Sequence, residues 1–178
     1  MAIRVVAPSV EYRQAFLAML ADFDAHSPDE AEFYAPARTD FAAYVQSLSD
    51  EERGENLRAG WVPCTHRWLL APNDAIVGVA RLRHRIDTPF LFKDGGHIGY
   101  DVAPSQRGQG FGHAALRAAL GEAGVLGLDR VLVVTGAGNL ASRAVIERHG
   151  GELEATSFSE FWDEDLCRYW ITVEWHRR

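Results

Sequence analysis

The sequence predicts an α/β domain: a mixed sheet with helices on both faces. Three observations predict it. Seven runs have strand length and either alternate or are wholly apolar, and four stretches have helical spacing or helix caps. Read along the chain, the order is β-α-α-β-β-β-α-β-α-β-β, which packs naturally as a sheet between helical layers. Finally, no internal repeat, low-complexity tract or linker interrupts the 178 residues. Residues 1–178 therefore read as one domain, long enough to bury a core without metals or disulfides.

The elements follow in order. "IRVVA" is a first strand. Ser9 caps a helix from Val10 to Ala25, where Tyr12, Phe16, Leu20 and Phe23 recur at helical spacing. Residues 26 to 60 are the most irregular, rich in Asp, Glu and Pro, with "DFAAYVQSL" as a short second helix among them. This stretch reads either as a loop that carries specificity or as a solvated loop. "THRWLLA" and "AIVGVARLRHR" are strands joined by the turn "PND", and "GHIGYDVA" is a fourth strand. A helix runs from Phe111 to about Gly124, and "RVLVVTG" is a buried strand. "LASRAVIERH" is a helix stopped by Gly150 and Gly151. "GELEATSF" and the alternating "CRYWITVEW" close the chain as strands.

Composition narrows the function. A net charge of −7 argues against a nucleic-acid partner, which needs a basic face, and suits a cationic small substrate. No run approaches the ~18 apolar residues of a membrane span. "MAIRVVAPS" lacks a basic segment followed by an apolar one, so no secretory signal is read and a cytoplasmic location is expected. Cys64 and Cys167 lie far apart in sequence and read as buried reduced thiols. No metal site is expected.

Between the fourth strand and the helix that follows it, "VAPSQRGQGFG" places Gly108, Gly110 and Gly112 within five residues. Glycine admits φ > 0 and close approach of a ligand, and a helix start offers unpaired N–H groups and partial positive charge. Residues 107 to 112 thus read as an anion cradle of main-chain N–H groups, or as a glycine-rich turn and no more. A P-loop fails, because no lysine follows the glycines. Gly110, Gly112 and Ala115 satisfy G-x-G-x-x-A, but "APSQR" separates them from the strand, and "RVLVVTG" ends without the acidic residue a dinucleotide needs.

A third pattern, R/Q-x-x-G-x-G/A, is met by Arg107, Gly110 and Gly112. Here the chain resembles the GNAT superfamily of N-acetyltransferases. "YDVAPSQRGQGFG" resembles the family's strand-to-loop signature, and "NLASRAVIERHGG" its later N-x-x-A-x-x-x-Y-x-K-x-G-F segment, matched at Asn139, Ser142, Arg148 and Gly150. The stretch "RHRIDTPFLFKDGGHIGYDVAPSQRG" further resembles a little-characterised bacterial branch of predicted acetyltransferases. The resemblance implies a mostly antiparallel sheet whose fourth and fifth strands splay apart. It implies acetyl-coenzyme A as cosubstrate, with pyrophosphate on Arg107, Gly108, Gln109, Gly110, Phe111 and Gly112. The pantetheine arm would lie along Tyr100–Val102, with Asn139 and Ser142 in contact with the coenzyme. A primary amine would attack the thioester directly. Asn139 is explained equally well as a helix cap.

The resemblance is broken where many relatives carry a proton-donating tyrosine; Ile146 stands there. The base is also unassigned. His84 lies among Arg83, Arg85 and Asp87, whose basic members would keep it neutral; it reads as facing the substrate or as an exposed edge residue. Alternation turns His97 away from the face of Ile98 unless a bulge re-aims it. Asp101 reads as an ammonium contact or a solvated carboxylate. Trp162 and Tyr169 read as an aromatic wall or as core. The expected function is acetyl-coenzyme A-dependent N-acetylation. A non-catalytic acyl-coenzyme A sensor, a longer acyl chain and a hydroxyl acceptor remain open, as do the acceptor and the oligomeric state, a homodimer included.

Overall fold

The computed structural model describes residues 3–174. Strands Arg4–Val6 (β1), Cys64–Leu70 (β2), Ile76–Arg83 (β3), Ile98–Val102 (β4), Arg130–Gly136 (β5), Glu152–Ser159 (β6) and Glu164–Thr172 (β7) form one sheet. Their order is β1-β2-β3-β4-β5-β7-β6. Every neighbouring pair is antiparallel except β4 and β5, which run parallel. This is the mixed, mostly antiparallel sheet that was expected.

Helices Arg13–His26 (α1), Pro28–Ala31 (α2), Ala35–Thr39 (α3) and Phe41–Arg53 (α4) cover one face. Phe111–Leu126 (α5) and Leu140–Arg148 (α6) cover the other. Strand alternation divides the core between these layers. Trp68 and Leu70 point to the α1–α4 face, while Leu69 between them points to α5. On the first face Phe16 is a hub, its ring centroid 4.7 Å from Trp68, 5.5 Å from Tyr44 and 5.7 Å from Tyr34. On the second, small residues at i, i+4 and i+8 of α5 (Ala115, Ala119 and Ala123) let the helix lie close on the sheet.

Residues 28–53 differ from the irregular reading. They form three successive helices and a 3-10 turn at Glu32–Tyr34, and they bury Ala31, Tyr34, Ala37, Phe41 and Leu48. Pro28 and Pro36 stand in first turns, where a fixed φ suits a helix start. With four and five residues, α2 and α3 are too short to show a period. Other boundaries shift slightly. A 3-10 turn at Val10–Tyr12, capped by Ser9, precedes α1. His84 lies past the end of β3 and His97 before the start of β4. The expected last strand ran to Trp175, which lies outside the described residues; β7 ends at Thr172.

Candidate active site

The loop before α5 is built to present amides. Gly110 is the N-cap with φ +85°, and Gly108 has φ +76°. A Cβ at either would meet nothing within 4 Å, so the space in front of the loop is open. The N–H groups of Gln106 and Arg107 turn back to the carbonyls of Ala103 and Pro104, and His113 donates to the Gly110 carbonyl. Those of Gly108, Gln109, Gly110, Phe111 and Gly112 donate to no acceptor among the described residues. Five consecutive free donors at a helix start make an anion cradle. Phe111 anchors the loop with its buried ring. Gly112 faces inward: a Cβ there would make ordinary contact with Val145 at 3.4 Å and the Tyr100 ring at 3.6 Å. Arg107, expected to share in the cradle, offers it no free donor, because its N–H is bonded to Pro104. Its side chain is engaged with Glu30 at 2.8 Å and the Val102 carbonyl at 3.2 Å.

The sheet opens beside this loop. β4 and β5 are matched at a single position, Ile98 with Val133, with one further bond from the His97 N–H to the Leu132 carbonyl. Hydrogen bonding in an antiparallel pair alternates along the strand. Ala103 donates to Val77 and Arg83 to His97, so the odd residues of β4 bond to β3. Tyr100 and Val102 therefore turn their N–H and C=O groups toward β5, which has diverged. A strand edge about two residues long, unpaired apart from the Val102 carbonyl that Arg107 Nε occupies, runs from the vertex at Ile98 to the cradle. Across the gap the Tyr100 hydroxyl meets Ser142 Oγ at 2.9 Å. Asn139 caps α6 by accepting from the Ser142 N–H at 3.0 Å. Burial raises the Tyr100 pKa, against the lowering effect of the Ser142 bond.

On the α1–α4 side of the gap lies a cluster of part-buried polar side chains. Asp101 Oδ2 accepts from the Tyr34 hydroxyl at 2.5 Å and from Arg81 Nη2 at 2.6 Å. Burial, with Asp101 beside it, holds the Tyr34 pKa well above its ordinary value, so Tyr34 remains a donor. Arg81 passes over Gly99, where a Cβ would stand 3.5 Å from its Nε. Next to it on β2, His66 Nε2 and Glu51 Oε2 are 2.8 Å apart. Burial alone would lower the His66 pKa; Cys64 and Glu51 outweigh it and push it up to about 9. Sequence reading missed Arg81, Tyr34 and the His66–Glu51 pair. The signal for Arg81 was alternation: Val79, Arg81 and Arg83 share a face of β3. Tyr34 and Glu51 come from helices distant in sequence and left no such mark.

The two histidines singled out in the sequence do not join this cluster. His97 is buried, and its Nδ1 accepts from the Leu132 N–H at 2.9 Å. Burial and nearby Arg83 lower its pKa to about 4, so it is a weak base fastened to the sheet. His84 bonds Thr65 at 2.8 Å, on the α5 face of the sheet. Its pKa is lowered by burial, against Glu52, and not by the arginines flanking it in sequence. Ile146 is fully buried in the α5–α6 core. Tyr169 is core too, its hydroxyl held between Arg143 and Glu147. Trp162 is 42% exposed and stacks with Phe90 and Phe161 at the surface. Cys64 and Cys167 are both free and buried. Among the described residues no helix is long and apolar enough to cross a membrane.

A sheet split beside a helix-start amide cradle defines the acyl-coenzyme A transferase class of α/β fold. The chain belongs to the acetyltransferase (GNAT) domain family, whose profile matches residues 7–152. A search of the curated proteins finds no match. Solved structures share the fold over nearly the whole chain. RimL, a ribosomal L7/L12 alpha-N-protein acetyltransferase solved with coenzyme A, is 18% identical with a TM-score of 0.70, covering 97% of this chain and 95% of its own. The ribosomal-protein-S5-alanine acetyltransferase from Vibrio fischeri is 14% identical with a TM-score of 0.72, covering 98% and 94%. The microcin C7 self-immunity acetyltransferase MccE, solved with acetyl-CoA and AMP, is 16% identical with a TM-score of 0.69, covering 96% and 92%.

Proposed function

We propose that the protein transfers an acetyl group from acetyl-coenzyme A to a primary amine. The observation that carries this is the row of free N–H groups at 108–112 beside the unpaired edge of β4. The cradle takes the pyrophosphate. The edge offers the pantetheine amides the Tyr100 N–H and C=O and the Val102 N–H, as an added strand would use them. The thioester then lies near Ile98 and Gly99, beside the polar cluster. Asp101 holds the incoming ammonium through Oδ1, which has no partner among the described residues, and leads its proton to solvent. The neutral amine adds to the thioester carbonyl, the C–S bond breaks, and the thiolate takes a proton from the Tyr100–Ser142 hydroxyl pair. The acetylated nitrogen gives up its surplus proton through solvent to that pair, which restores it. Positioning supplies most of the acceleration, since the two reactants are held in line.

A second reading is favoured by Ile146, which leaves the familiar donor position without a proton: the protein binds acyl-coenzyme A as a sensor. Two measurements test these together. Calorimetry with acetyl-coenzyme A reads the cradle, and coenzyme A release with a panel of amines reads transfer. Binding with release supports the transferase; binding without release for any amine supports the sensor. No binding overturns both.

A further inference from the structure

The α1–α4 face of β3 carries a cation with no ion-pair partner among the described residues. Arg81 and Arg83 stand two residues apart and so point to the same face. Arg81 is paired with Asp101, and His66 beside it with Glu51. Arg83 has no carboxylate within 4.0 Å among the described residues. Its bonds run from Nη1 to the carbonyls of Gly95 at 3.2 Å and Gly96 at 3.0 Å. Its Nε and Nη2 have no acceptor, yet neither is sealed from solvent. Burial, reinforced by Arg81, lowers the Arg83 pKa although Cys64 and Glu51 oppose it, so the unpaired charge is held at a cost. Arg81, Arg83 and protonated His66 face Asp101 and Glu51, which leaves one positive charge in surplus inside a chain of net charge −7.

We propose that Arg83 selects the acceptor: its free Nε–Nη2 edge takes a carboxylate on the amine substrate. This rests on the transferase reading above. Nε and Nη2 lie side by side in one plane, the fork that a carboxylate fills with both oxygens. Nη1, tied to two carbonyls, fixes that plane. Arg83 lies opposite His97 on β4, past the vertex of the split and at the far end from the amide cradle. The coenzyme thus occupies the stretch from Val102 to Ile98, about 14 Å of strand, and the acceptor's carboxylate the end beyond it. Asp101 takes the ammonium and Arg83 the anion. Their positions on the sheet lie four residues apart, about 13 Å, so the substrate class is an amine whose carboxylate stands well away from it, either a long ω-amino acid or an acidic peptide.

Matched pairs test this on the full chain loaded with coenzyme A. Long ω-amino acids and short peptides with Asp or Glu at their second to fourth positions are each offered as the carboxylate and as the carboxamide. Calorimetry on that complex reads binding, and coenzyme A release from acetyl-coenzyme A supplied as donor reads KM and kcat. The carboxylate member of at least one pair should bind, and Arg83→Gln should weaken it about 10- to 100-fold, the range of a charged hydrogen-bond pair. The amide partner should not change, and Arg83→Lys should restore part of the loss. Whether an ω-amino acid or a peptide shows the effect identifies the source. Equal binding of both members, equal loss for both on Arg83→Gln, or no binding by any carboxylate overturns the inference. Acetyl-coenzyme A affinity, measured alone, reports separately on the transferase reading.

Discussion

At the scale of single residues, the sharpest demands fall on Gly110 and Ile146. With φ +85°, Gly110 sits where an L side chain is strained, and the space beyond its missing Cβ is open. Two substitutions separate strain from blockage. Gly110→Ala adds strain of about 1–3 kcal/mol and a single methyl group, whereas Gly110→Val adds the same strain and a branch that enters the cradle. Both should lower the unfolding midpoint by similar amounts, while calorimetry should show acetyl-coenzyme A affinity falling at least about tenfold further for Val, a loss of some 1.4 kcal/mol. Equal affinities in the two variants would place the phosphates elsewhere. Ile146 makes the opposite demand. It is fully buried, and a Cβ on Gly151 would collide with it, so it belongs to the packing of α6 on the sheet. Ile146→Ala should cost about 2–5 kcal/mol of stability by opening a cavity. Well below its melting point, turnover should stay within about tenfold of the parent, short of the ~100-fold that loss of a general acid produces.

At the scale of elements, the site is made by one strand that loses its neighbour. β4 keeps β3 along its whole length and meets β5 at one register position, which leaves Tyr100 and Val102 to face the gap. The Tyr100–Ser142 contact then ties β4 to the first turn of α6. If this pair supplies the leaving group's proton, Tyr100→Phe and Ser142→Ala should each lower kcat by about 10²-fold or less. The double variant should be no worse than the poorer single one, because the two act as a unit. Acetyl-coenzyme A affinity, read by calorimetry, should change only a few-fold; a collapse of affinity with kcat intact would make the pair a binding contact only. Much of this element-scale design was legible in the sequence. The strands announce themselves by alternation, the cradle by three glycines at a helix start, and the α6 cap by Asn139. What was not legible arises from contacts between distant segments. Tyr34 meets Asp101 from 67 residues away, out of a stretch whose helices are too short to show periodicity. His97 has a main-chain partner on β5 that no local pattern could reveal.

At the scale of the whole molecule, the buried histidines tie the sheet to pH from opposite sides. His66, between Glu51 and Cys64, has its pKa pushed up to about 9, above the ordinary 6.5. A pKa raised on folding gives stability that is complete below about pH 6.5 and lost as the pH climbs through 9. His97, buried beside Arg83, has its pKa lowered to about 4. Its contribution has the reverse sign: complete above about pH 6.5, and lost as the pH falls through 4, because the unfolded chain takes a proton that the folded one refuses. Each shift corresponds to a contribution on the order of 3 kcal/mol. Together they place a stability maximum near pH 6.5, with His66 shaping the alkaline limb and His97 the acid limb. Urea unfolding at pH 4.5, 6.5 and 9 checks this against His66→Gln and His97→Gln. Each substitution should lower stability at pH 6.5. His66→Gln should flatten the decline between 6.5 and 9 while keeping the acid limb, and His97→Gln should flatten the decline between 6.5 and 4.5 while keeping the alkaline one. Parallel curves for parent and variants would show that neither histidine changes its protonation on folding. An alkaline limb that survives His66→Gln but disappears in Glu51→Gln would instead assign the titration to another partner of that carboxylate.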